Sequence, residues 1–71
     1  MVSLFSHNFM GSSSISNATY DGITRILNIT FRTGPRSYFY YGVPLAVWLE
    51  FTRAPSAGRY LQQRITPFYG R

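Results

Sequence analysis

The chain has 71 residues, a length at which one hydrophobic core only just offsets chain entropy, so it forms a single small domain. Hydrophobic residues make up 45% of it and aromatics 18%, which excludes intrinsic disorder. Seven basic residues, all Arg, against two acids give a net charge of +5, and the absence of Cys and Lys excludes disulfides, thiolate metal sites, cysteine nucleophiles and Schiff-base chemistry.

Residues 1–14 form a zone of their own. Leu4-Phe5 and Phe9-Met10 are apolar, and Gly11-Ser12-Ser13-Ser14 reads as a flexible link. The segment is expected to be a partner-binding arm, or else a flexible extension or a short strand lying along a sheet edge, with the folded domain running over 15–71. Ser14 to Tyr20 alternates weakly and predicts a first strand. Asp21-Gly22 predicts a tight turn in which Gly takes the positive φ. Thr24 to Arg32 then alternates cleanly, with Leu27, Ile29 and Phe31 on one face and Asn28, Thr30 and Arg32 on the other. A turn over 33–36 leads into a third strand, Ser37 to Tyr41, rich in β-forming aromatics.

Gly42-Val43-Pro44 changes the period. Pro44 suits the first position of a helix, with Leu45, Trp48, Leu49 and Thr52 along one stripe and Val47, Phe51 and Ala54 beside it. That helix must stop before Pro55. Ser56 is a good N-cap for a second helix through Ala57, Tyr60, Leu61, Arg64 and Ile65, ended by Pro67. The expected fold is α+β: a three-stranded antiparallel meander followed by two helices (βββαα) packed on one sheet face.

Catalytic groups are scarce. His7, Asp21 and Glu50 are the conventional acid–base residues, and none has a partner at a useful spacing, so no catalytic residue, metal site or cofactor is expected and the chain is read as not an enzyme. No run of about eighteen apolar residues is present, and residues 1–10 lack the layout of a signal peptide. A monomer in the cytoplasm, without membrane contact, is the expectation.

The charge suggests an acidic or polyanionic partner, although a solvated basic surface would explain it too. Arg32 beside one aromatic pair from Tyr38 to Tyr41 would make a base-stacking face if that pair points outward, and cross-strand pairing accounts for the same tyrosines. Arg59, Tyr60 and Arg64, with Tyr69 and Arg71, form a second basic and aromatic cluster near a helix start.

The order Tyr38-x-Tyr40, Gly42-Val43-Pro44, Ala54-x-Ser56-x-Gly58-x-Tyr60, then Ile65 and Tyr69, resembles the KTSC domain family over roughly Ile15 to Tyr69. That family is named for a domain at the C-terminus of some lysyl-tRNA synthetases and also occurs as small bacterial and phage proteins. The resemblance implies RNA binding without a defined site and carries over no catalytic residue. The chain departs from the family in the apolar helix Leu45 to Phe51, in the less basic tail and in the added 1–14 segment, all of which shift weight toward a protein partner. In type it also resembles small phage-encoded regulators that bind the large subunits of bacterial RNA polymerase and inhibit transcription initiation, in the cytoplasm of the bacterial host. Two residue sets follow. The first takes a protein partner through Leu4, Phe5, His7, Phe9 and Met10 with Arg32 and Arg36. The second takes RNA through Arg32, Tyr38, Tyr40, Arg59, Tyr60 and Arg64.

Overall fold

The computed structural model describes residues 4–33 and 37–69. Arg36, Arg71 and the greater part of the turn expected over 33–36 lie outside the described residues. The chain runs through β1 (Leu4–Asn8), β2 (Ile15–Asp21), β3 (Ile26–Phe31), β4 (Ser37–Tyr40), α1 (Leu45–Arg53), α2 (Ala57–Tyr60), a π-helical turn (Leu61–Ile65) and α3 (Thr66–Tyr69). The strands form one antiparallel sheet in the order β1-β2-β3-β4.

The expected three-stranded meander is therefore corrected to four strands, within an α+β fold. The additional strand is β1, which pairs along its whole length with β2, from Leu4 opposite Asp21 to Asn8 opposite Asn17. The glycine-serine run after it looks like a linker, yet it is the connection of a hairpin. Ser12 closes it, its Oγ accepting from the Ser14 and Ile15 amides at 3.3 and 3.1 Å. A short polar side chain that bonds backbone two and three residues on stabilises a turn in this way.

The weak alternation of β2 also has a local cause. Ile15 pairs with Phe31 and Asn17 with Thr30, so one extra residue bulges at Ser16. The bulge lets Ile15, Ala18 and Tyr20 all face the core, with spacings of three and then two. At the β2–β3 turn Asp21 acts as expected, its Oδ1 accepting from the Ile23 amide at 2.8 Å. The positive φ falls on Arg25 (61°), however, and not on Gly22. The loop is four residues long, closed by the Arg25 amide on the Asp21 carbonyl at 2.7 Å, and its last residue must turn left-handed. Gly42 does take a positive φ (75°), and it reverses the chain from β4 into α1.

All helices lie on one face of the sheet, because Tyr20, Ala18, Leu27, Ile29 and Tyr40 all bury toward the same side. Pro44 caps α1 in an extended conformation, and Trp48 and Phe51 are its buried residues. Trp48 stacks on Tyr20 with ring centroids 5.5 Å apart and planes at 11°. Leu45 and Leu49, expected on the buried stripe, are exposed. Ser56 caps α2 as expected, accepting from the Arg59 amide. Pro67 does not end the helix. The Thr66 amide reaches back five residues to the Leu61 carbonyl, and this wide turn gives the proline ring room where an α-turn would press it against a carbonyl.

Candidate binding surface

The fold divides the residues of the first set between core and surface. Phe9 is buried, its ring 4.8 Å from Phe51 and 4.6 Å from His7, which meets it edge-on. Phe5 is partly covered, 6.2 Å from Tyr20. Leu4 and Met10 project into solvent, 65% and 88% exposed. Strand alternation sets this division: Phe5 and His7 stand opposite the inward Tyr20 and Ala18, and Leu4 stands on the open face opposite Asp21.

Arg32 has a different place from the one its alternation predicts. Its Nε donates to the Ser12 carbonyl and its Nη2 to the Phe9 carbonyl, each at 2.6 Å, while its own amide donates to the Ser14 carbonyl at 2.9 Å. A planar fork suits two carbonyls at once, so Arg32 clamps the β1–β2 loop onto the end of β3. The held loop forms one wall of a cleft of about 330 Å³, running from His7 to Ser14, with Thr52 and residues 54–58 opposite. No Arg, Asp or Glu among the described residues lines it; the serines, Thr52, Asn8 and His7 share its walls with apolar Phe9, Met10 and Pro55. Gly58 approaches this loop closely: a Cβ there would stand 2.7 Å from Ser14 Oγ, and the serine side chain would have to turn aside. Among the described residues no group of three or more His, Cys, Asp or Glu could hold a metal ion. No helix among them is long and apolar enough to cross a membrane.

The second set is also split. Arg59, Tyr60 and Arg64 share one helical stretch, and Arg59 and Tyr60 line a depression of about 270 Å³ with Pro55 and Gln63. Tyr60 Oη donates to Glu50 Oε1 at 2.7 Å. Burial first, and then this bond to a carboxylate, push the Tyr60 phenol up to about 12, against the pull of Arg64. Burial likewise raises the Tyr20 phenol, whose hydroxyl donates to the Val43 carbonyl.

Tyr38 and Tyr40 lie on the covered side of the sheet. Tyr40 is buried, and Tyr38 meets Phe31 edge-on at 5.3 Å beside a groove of about 260 Å³ that Leu61 and Thr66 close. Phe39, opposite Asn28, is the ring of β4 that reaches the open face. The outward aromatic and Arg32 thus do not form a common stacking face. Once Tyr40 is known to be inward, the parity of Phe39 and the exposure of Tyr41 follow, but which parity faces the core depends on the register with β3. The exposed Leu45 and Leu49 had no separate signal, because leucines on an amphipathic pattern read as core.

The KTSC domain family model matches residues 11–69. A protein of Tsukamurella paurometabola is 39% identical over 56 residues, which cover 79% of this chain and 82% of its own length. The crystal structure of a KTSC domain protein from Yersinia pestis superposes with a TM-score of 0.82 at 32% identity, covering 93% of this chain and 90% of the other. A superposition of that span extends before residue 11, into β1.

Proposed function

The chain belongs to the KTSC family, and on that premise we propose that it is a non-enzymatic protein that binds a protein partner through the β1 side of the sheet. The exposed Leu4 and Met10, held in fixed positions by strand pairing and by the Arg32 clamp, carry this reading. Apolar side chains that a rigid frame keeps in water are poised to bind with little further ordering cost. Phe5 adds partly exposed ring surface at the same strand, and His7 lines the adjoining cleft. The partner we assign, from the resemblance to small phage-encoded regulators, is bacterial RNA polymerase, with inhibition of initiation as the consequence. Such inhibition needs a competing surface and no reacting group.

The test uses purified bacterial RNA polymerase, free of nucleic acid, and the full chain. Deleting residues before Ser14 is unsuitable because Phe9 is part of the core. The double variant Leu4→Ser, Met10→Ser leaves the core intact. Micromolar or tighter binding, weakened at least about tenfold in the double variant, supports the proposal. No binding, or binding unaffected by the variant, overturns it. Retention only when RNA is present, falling steeply with salt and lost in Arg59→Ser, Arg64→Ser, would instead make the chain an RNA-binding module working through its helical arginines.

A further inference from the structure

Among the described residues the sheet ends in two edge strands, β1 and β4; both lack an Arg or acidic residue, a proline and a bulge, and β4, although only four residues long, is the more aromatic. Ser37-Tyr38-Phe39-Tyr40 has no charge, no proline and no bulge, and it pairs regularly with β3 from Ser37 opposite Thr30 to Tyr40 opposite Leu27. Edge strands are ordinarily blunted by one of those devices, because their unpaired amides and carbonyls accept another strand. Exposed rings add to the invitation: Tyr38 is 47%, Phe39 49% and Tyr41 55% exposed.

We propose that β4 pairs with β4 of a second copy, antiparallel about Phe39, to give a two-fold dimer with a continuous eight-stranded sheet. The strand is nearly its own complement in that register. Phe39 meets Phe39 on the open face, Tyr38 meets Tyr40 on the helical face, and Ser37 meets Tyr41. Aromatic pairs directly across antiparallel strands are the favourable kind. A two-fold axis perpendicular to the sheet puts both helical layers on one side, so the packing of each copy is undisturbed.

Charge and area set the strength. No charged residue lies in β4, so like charges do not stand opposite each other in the ladder, yet each copy carries +5 overall. Association is therefore opposed at long range and favoured by salt, which shortens the reach of that repulsion to about 10 Å near 0.1 M. Three rings, each about half exposed, offer roughly 300 Å² per partner, well under the roughly 800 Å² of a standard interface. The dimer is weak, and it forms at high concentration.

Sedimentation equilibrium of the full chain, from about 10 μM to about 1 mM and at low and high salt, tests this. The expected result is a mass rising from 8.1 kDa toward twice that value, further at high salt. Phe39→Lys, which places a charge opposite its own copy, should weaken association at least about tenfold while far-UV circular dichroism stays native. Ser6→Lys, on the other edge, should leave the mass curve unchanged. A chain that stays monomeric throughout overturns the proposal and leaves the edge to a foreign strand. A dimer that Ser6→Lys breaks and Phe39→Lys does not overturns it equally.

Discussion

Replacing Arg32 by Met keeps the aliphatic stem and removes the clamp on the β1–β2 loop. Two bonds at 2.6 Å from a charged donor would contribute about 1.5–3 kcal/mol each if fully shielded. The actual loss is smaller for two reasons. Arg32 is exposed, so water competes for its N–H groups, and the Phe9 carbonyl keeps a second partner in the Ser12 amide at 3.2 Å. Only the Ser12 carbonyl must find a replacement, and it can take water. The expected cost of Arg32→Met is then about 1–2 kcal/mol, or a drop in Tm of roughly 6–12 °C for a domain of this size. Arg32→Lys should recover less than half of it, since one ammonium cannot span both carbonyls with the geometry of a planar fork. Urea unfolding followed through Trp48 gives the stability, and hydrogen exchange at Ser12, Ser14 and Ile15 reports the loop itself. A variant within about 0.5 kcal/mol of the parent, with unchanged exchange at those amides, would show that strand pairing and the Ser12 side chain hold the loop without the guanidinium.

Arg25→Gly should stabilise the fold by about 0.5–1 kcal/mol, because the left-handed backbone at Arg25 costs an L-residue more than glycine adds in unfolded-chain entropy; a lower urea midpoint refutes this. Phe9→Ala should cost about 3–5 kcal/mol, most of the stability of so small a domain, and a near-UV spectrum like the parent's would contradict the placement of Phe9 in the core. In an alkaline titration followed by tyrosinate absorbance, one phenol should titrate near 12, and Tyr60→Phe should remove it. Glu50→Gln should lower that midpoint without returning it to the ordinary value of 10.0, since burial is the larger cause. The sign for stability follows: the folded pKa is raised, so the contribution of Tyr60 is complete below pH 10.0 and is lost as the pH rises through about 12.

Local chemistry was legible from the residues alone. The alternation of Leu27, Ile29 and Phe31 marked β3, the cap at Ser56 started a helix, and Asp21 made its turn, because each depends on neighbours within a few positions. The same local logic explains why catalysis was not expected of a chain so poor in acid–base groups. The KTSC signature over most of the chain was legible as well, and with it the α+β class.

Other properties depended on partners far away in the chain. A glycine-serine run is a linker or a hairpin depending on whether the strand before it finds an edge, and the edge of β2 decided for the hairpin. Pro67 breaks a helix unless the turn ahead of it widens, and burial of Leu61 and Ile65 holds that wider turn against the sheet. The role of Arg32 was hidden for the same reason, since the Phe9 and Ser12 carbonyls lie more than 19 positions away in sequence and meet it only once β1 is paired. Which of Tyr38, Phe39 and Tyr40 faces water was set by a single register against β3, because a slip of one residue exchanges the two faces of a strand.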